Sequence, residues 1–571
     1  MRFLSFKNER HLEILLLGIA IALGALHAWA GRYTMNPDGI SYLDMGDALW
    51  RRDWEMAINP YWSPLYALIL GLGMEIVQPS LWAEFPLAHA INFLIYLAAL
   101  FAFRFFFSEL WGKRPGQAWL CFGYALFLVA ALNLITLSLV SPDMLIAALV
   151  FALSGFMARM YHGDMRTANF IWFGILLGLA YLTKAIFFPL GFIFLGAAMF
   201  FGKPLKVMAP RIFLSLLLFL SIASIWIVPL SLKRGHVTFG EAGRLTHAWH
   251  VNGVRRQIHW QREDNRFGSP LHPTRKIFDN PLVYEFAGPI KGTYPPWYNP
   301  SYWYEGMQTS FSIRAQIEAL LFNTRLFYEM LLFYQIWSVL VGFSAMFVFI
   351  AWQRFREGVG TLSTAWPLVF PSFAAIGMYL SVVVQPRYVA SFLVVIGITA
   401  GQRLFSFVSS DTSAPLSFTA GVFACLLFLP ISFSSIEKVT VPISTKHQYI
   451  AAFLRERGLE AGDTVAVVGD HFYAWEAAWA RLARVTIIAE VPPDVLNTTN
   501  VWMNNVANFW INKEAQSRVL ALFEEKGARM VLAGDPLPGA SLDRWQKIEG
   551  TNAYLLFFRA PQENQMKKEE I

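Results

Sequence analysis

The chain has 571 residues, of which 56% are hydrophobic, 16% aromatic and only 15% charged, against roughly a quarter charged in soluble domains. That balance excludes an ordinary soluble enzyme and fits a polytopic membrane protein, with apolar runs of roughly 18 to 25 residues that can cross a bilayer as helices. The net charge of +7 is scattered through short loops and forms no stripe, which speaks for positive inner loops and against a nucleic-acid partner, while Cys121 and Cys425 lie in apolar runs and support neither a disulfide scaffold nor a cysteine zinc site.

In chain order, the run Leu12–Ala30 is long for a signal-peptide core and reads as a retained first span, with Arg2, Lys7 and Arg10 holding the N-terminus in the cytoplasm. A first outer loop, 31–82, contains the apolar stretch Pro64–Val77, too short to span and expected to lie along the outer surface. Spans follow at 83–103, 117–137, 144–158, 168–183, 185–201 and 212–230. Their inner turns carry Arg104, Lys113 and Arg114, then Arg159 and Arg166, then Lys203, Lys206 and Arg211; the outer turns carry Ser141-Pro142-Asp143 and Lys184.

Residues 231–325 form a second, long outer loop rich in Gly, Pro, Trp and Tyr, and connections of this length are usually functional. Four further spans, 327–351, 364–384, 388–400 and 416–434, bring the crossings to eleven and leave the C-terminus outside. The fold expected for 1–435 is therefore a polytopic α-helical membrane domain of about eleven helices. From 436 to 571 the composition is that of a soluble α/β domain: "TVAVVGD" (464–470) and "VTIIAEV" read as strands, "EAAWARLA" as a helix, and "SRVLALFEEKGARMVLAGD" as a helix and then a strand. "VVGDHF" has one glycine and lacks G-x-G-x-x-G, so nucleotide binding has little support there.

The residues that invite chemistry stand beside the first span. "PDGISYLDMGD" places Asp38, Asp44 and Asp47 on an amphipathic segment at an outer membrane surface. A solvated interfacial helix is the bland explanation. A patterned one comes from "D38-G-I-S-Y42-L-D44", "R52-D53-W54" and "W62-S-P64-L-Y66", with "GLAYLTKA" (178–185) and "QPRYVASFL" (385–393) further on. Together these resemble the GT-C membrane glycosyltransferases, in particular the protein O-mannosyltransferases and the lipid A aminoarabinose transferases. Gly39 stands where that family often has Glu, and Ser41 where the aminoarabinose transferases tend to have Arg.

The resemblance implies transfer of a sugar from a polyprenyl-phosphate donor to a glycan, lipid or protein acceptor, with inversion, at the periplasmic face of a bacterial inner membrane. Such chemistry needs a base for the incoming hydroxyl and fixed positive charge for the departing phosphate. Asp38 is the expected base. Lys184 and Arg387, at outer helix boundaries, are expected to hold the donor phosphate, because charge at membrane depth is costly unless used. Tyr42, Asp44, Asp143 and Tyr388 are further substrate-binding candidates, Asp143 alternatively capping the helix it begins, and Lys184 alternatively snorkelling to the interface.

No cofactor is firmly implied, and a divalent metal is left open. His247, His250, His259 and His272 carry no ligand signature. Trp249, Trp260, Trp297, Tyr298, Trp303 and Tyr304 read by default as an interfacial aromatic belt, with sugar stacking as the alternative. The rival functions are a secondary transporter, which would show repeated halves and mid-span charges, a lipid-binding membrane scaffold, and, within the enzyme class, an oligosaccharide ligase.

Overall fold

The computed structural model describes residues 9–112, 115–201, 204–254, 259–261, 265–334, 342, 355–407, 410–469, 477–493, 495–496, 502–503, 505–534, 536, 540 and 542–558. Among these, seven helices are long and apolar enough to cross a membrane: Glu9–Ala30, Glu84–Trp111, Gln117–Ile135, Asp143–Tyr161, Leu205–Arg234, Pro386–Ser406 and Leu416–Thr440. Shorter apolar helices, Thr167–Thr183 and Phe187–Ala198, and the helix Phe355–Leu380 occupy the places of three further expected spans. The expected span 327–351 lies largely outside the described residues, but the helix leading into it starts at Ile313, within the stretch read as loop. It carries the Arg314–Glu318 pair near its start and the Arg325–Glu329 pair further on, both at i,i+4, which support a helix that hydropathy alone does not show.

The first outer loop is built mainly from two helices, Pro37–Trp50 and Pro64–Val77, each opened by a proline whose missing N–H costs nothing at a helix start. They pack against each other through Gly46 and Gly71: a Cβ on Gly46 would stand 2.7 Å from the Ala67 carbonyl oxygen. Between them Arg52 takes a left-handed φ of 60°, and Asp53 caps the short helix Trp54–Ala57 by accepting from the Met56 amide.

Beyond the membrane helices stands a seven-stranded sheet in the order Arg275–Asp279, Leu282–Glu285, Thr486–Val491, Thr464–Val468, Met530–Gly534, Ala553–Phe557, Gln546–Lys547. Its three central strands are parallel and buried on both faces, as parallel strands generally are. The flanking strands are antiparallel. The strands and helices read in the C-terminal region all form, with helices Ala478–Ala483 and Lys513–Glu525 between them. One edge of the sheet is a hairpin from the long outer loop, 275–285, joined to the C-terminal strand by the pairing of Tyr284 with Glu490. The long loop and the C-terminal region thus share one sheet.

Candidate active site

Asp38 is the second residue of the Pro37–Trp50 helix, in its first turn, where the free amides of a helix start favour a carboxylate. The helix start is pinned to the turn before Asp143. The Asn36 side chain accepts from the Val140 amide at 2.8 Å and donates to the Val140 carbonyl at 3.3 Å. Buried His89 joins the Thr34 and Leu137 carbonyls, at 2.8 and 2.9 Å, and Asn92, itself held by Tyr66, donates to the Leu139 carbonyl. The fit between these segments explains the departure at Gly39: a Cβ there would lie 2.7 Å from both the Val140 side chain and the Met35 sulfur.

Four charged residues meet at this junction. Lys184, just past the end of the Thr167–Thr183 helix, places Nζ 2.7 Å from Asp143 Oδ1. Arg387, second residue of the helix opened by Pro386, reaches Asp38 Oδ2 with Nη2 at 3.3 Å and Asp143 Oδ2 with Nε at 3.5 Å. Ser141 donates to Asp143 Oδ2 at 3.0 Å, and Gln385 accepts from Arg387 Nε at 2.9 Å. Tyr388 lies beneath the Lys184 ammonium, 3.7 Å from ring centre to Nζ, and stacks on Tyr379. Asp38 is 24% exposed and Asp143 only 3%. Two carboxylates and two cations therefore balance in a largely desolvated network drawn from four separate stretches of chain.

Asp143 does not cap its helix. The cap position is Pro142, and the Asp143 carboxylate turns to Ser141, Lys184 and Arg387. Lys184 does not snorkel outward but turns to that buried acid. Tyr42, one turn after Asp38, is buried with Trp62 and Tyr66 edge-on at 5.0 and 5.1 Å. Burial, and then the charges of Asp38 and Asp143, hold its phenol well above the usual range, so the hydroxyl stays protonated.

Asp44 points elsewhere. It accepts from the Thr293 amide at 2.7 Å, from the Thr293 hydroxyl at 3.0 Å and from Arg481 of the C-terminal region at 2.8 Å. Arg481 also binds Asp47 at 2.7 Å and Glu84 at 2.6 Å, and Arg484 binds the same two acids. This second cluster fastens the C-terminal domain to the helix that carries Asp38. A cavity of about 680 Å³ opens beside it, lined by Asp47, Trp50, Arg51, Tyr298 and Arg484 among others; Asp38, Lys184 and Arg387 do not line it.

The aromatic residues of the long loop form no belt. Trp249, Trp260, Trp297, Tyr298, Trp303 and Tyr304 are all buried, and several find partners for their polar ends: Trp303 Nε1 donates to the Pro295 carbonyl within the loop, while Tyr298 donates to the Met56 carbonyl and Trp297 Nε1 to Asp38 Oδ1, at 3.2 Å, in the first loop. Buried groups of this kind need such partners. The histidines are likewise engaged separately, His259 with Thr274 and Glu490, His272 with Glu305. Among the described residues no group of three His, Cys, Asp or Glu is placed to hold a metal ion, and both site carboxylates face cations, so the donor set as it stands fits an anion clamp better than a divalent site.

Membrane helices, two loop helices and a sheet domain in this arrangement define a polytopic membrane protein whose fold is shared with two solved proteins. ArnT from Cupriavidus metallidurans in the apo state superposes over 95% of this chain and 97% of its own, with a TM-score of 0.52 and 12% identity. The same protein bound to undecaprenyl phosphate gives 0.50 over the same shares. The Archaeoglobus fulgidus oligosaccharyltransferase in complex with Zn and sulfate covers 92% of this chain and 68% of its own, with a TM-score of 0.50 and 13% identity. Neither a family model nor a curated relative matches the sequence.

Proposed function

We propose that the protein is an integral-membrane glycosyltransferase that moves a sugar from a polyprenyl-phosphate donor to an acceptor hydroxyl at the outer face of a bacterial inner membrane. The observation that carries this reading is the contiguous Asp38–Arg387–Asp143–Lys184 network, built where outer helix ends meet. The bound undecaprenyl phosphate of the Cupriavidus protein supports the lipid class of the donor.

In this reading the donor phosphate is drawn to Lys184 and Arg387. It competes with Asp38 for Arg387, whereas Asp143 keeps Lys184 and Ser141. Asp38 Oδ2, released from its ion pair, takes the proton of the acceptor hydroxyl. The acceptor oxygen forms its bond to the anomeric carbon as the bond from that carbon to the phosphate oxygen breaks on the opposite side. The electron pair leaves on the polyprenyl phosphate, whose charge the two cations stabilise, and the anomeric centre inverts in the single displacement. Tyr42, protonated and beside the carboxylates, and Tyr388, under Lys184, line the same site.

The test uses membranes containing the full chain and labelled undecaprenyl-phosphate monosaccharides. Transfer leaves label on a new product and frees undecaprenyl phosphate. A transporter would instead carry the donor across the membrane intact, and recovery of only intact donor would overturn the reading.

A further inference from the structure

We propose that Trp297 is the positioning residue of Asp38, acting by a hydrogen bond from its indole N–H to the carboxylate; the proposal rests on the reading of Asp38 as base. Asp38 has one oxygen facing Arg387 and the other facing Trp297 Nε1. If a donor phosphate draws Arg387 away, the bond from Trp297 is what still fixes the plane of the carboxylate. An indole N–H suits that role because it donates and cannot accept, so it never competes for the proton that Asp38 removes.

The indole is itself firmly held. It belongs to the turn Pro295–Tyr298, whose two leading prolines restrict the backbone. The Trp297 carbonyl accepts from Ser41 on the Asp38 helix, and the Tyr298 carbonyl accepts from Asn59 at 2.7 Å and Trp62 at 3.0 Å. On the other side, the Thr293 carbonyl accepts from the Ile487 amide of the C-terminal sheet, and the Tyr294 hydroxyl bonds both oxygens of Glu490 at 2.9 Å. Trp62 and Trp249 pack against the ring, with centroids 5.8 and 6.2 Å away. A side chain braced from the first loop, the long loop and the C-terminal sheet transmits their geometry to one carboxylate oxygen. That gives the outer domain a share in catalysis without contact with the reacting atoms.

The experiment replaces Trp297 in the full-length protein with β-(3-benzothienyl)alanine, a sulfur isostere of tryptophan that keeps shape and loses the N–H, beside Trp297→Phe. Turnover and KM are measured with labelled undecaprenyl-phosphate monosaccharides, with Asp38→Asn as reference. The expected result is a fall in turnover of roughly tenfold or more in the isostere, the scale of a hydrogen bond to a charged group, with donor KM unchanged within about twofold. Wild-type turnover in the isostere, or a loss confined to donor KM, overturns the proposal. Turnover in Asp38→Asn would instead remove the base on which it rests, so the two failures are distinguishable.

Discussion

Arg387 faces two carboxylates in the resting site, and in the proposed reaction it loosens its hold on one of them as the donor phosphate arrives. Lys184 has a single buried acid, at 2.7 Å, and an aromatic face beneath it. Replacing Lys184 with Met is expected to weaken binding of undecaprenyl phosphate roughly tenfold or more, the scale of a charge-assisted hydrogen bond. Lys184→Arg, which keeps the charge, should recover much of it; calorimetric titration of both variants reads the difference, and equal affinity in the Met variant would remove Lys184 from the clamp. Asp38, Lys184 and Arg387 were legible in sequence because each sits beside a helix boundary in a recognisable local motif. Trp297 and Arg481 were not, because their significance lies in partners 259 and 437 residues away. Asp44 looked like a member of the first site through its spacing from Asp38, but its partners are Thr293 and Arg481.

The second cluster fastens the C-terminal region to the helix that carries Asp38. Arg481, 3% exposed, neutralises Asp44, Asp47 and Glu84. Arg481→Met leaves Asp47 and Glu84 with Arg484 and takes the paired guanidinium from Asp44, and removing one partner of a buried ion network typically costs about 3–5 kcal/mol. The expected outcome is a lower unfolding temperature and faster proteolytic release of the C-terminal domain. The two aspartates respond oppositely to pH. Burial raises Asp47, but the Arg481 and Arg484 guanidinium groups outweigh it and hold its carboxyl below the ordinary value of 3.8, so its contribution is present above that pH and is lost as pH falls. For Asp44 burial wins and the carboxyl is raised, so its contribution is present below 3.8 and is lost as pH rises. In thermal unfolding between about pH 3 and 6, stability should therefore rise with pH less steeply in Asp47→Asn than in wild type, and more steeply in Asp44→Asn. Identical slopes in all three proteins would contradict that balance. The central strands were readable from unbroken apolar runs, whereas the edge hairpin 275–285 was not. "RKIFD" is polar and largely exposed, and only its neighbour in the sheet makes it a strand.

For the molecule as a whole, hydropathy and loop charge made the membrane architecture legible well before any single contact was. The short Phe187–Ala198 helix marks where hydropathy locates an apolar segment better than it fixes the length. With the eleven crossings expected from hydropathy, the N-terminus and the C-terminal sheet would lie on opposite sides of the membrane. Cysteines introduced at Arg166 and at Gly462, in a background with Cys121 and Cys425 replaced, should therefore react with an impermeant thiol reagent from the cytoplasmic and the outer side respectively. Labelling of both from one side would overturn the topology, and with it the outer-face site. What neither hydropathy nor charge could show is that the long loop and the C-terminal region share a sheet, since strand pairing across some 200 residues leaves no local periodicity.

The sharpest test is the Asp38→Asn protein, which keeps the side chain's size and its contact with Trp297 but lacks the base. Sugar transfer from labelled undecaprenyl-phosphate monosaccharides and affinity for undecaprenyl phosphate should be measured on the same preparation. Transfer lost with affinity retained or increased is the expected result, because the amide competes less for Arg387. Transfer at the wild-type rate would contradict the role of Asp38 outright.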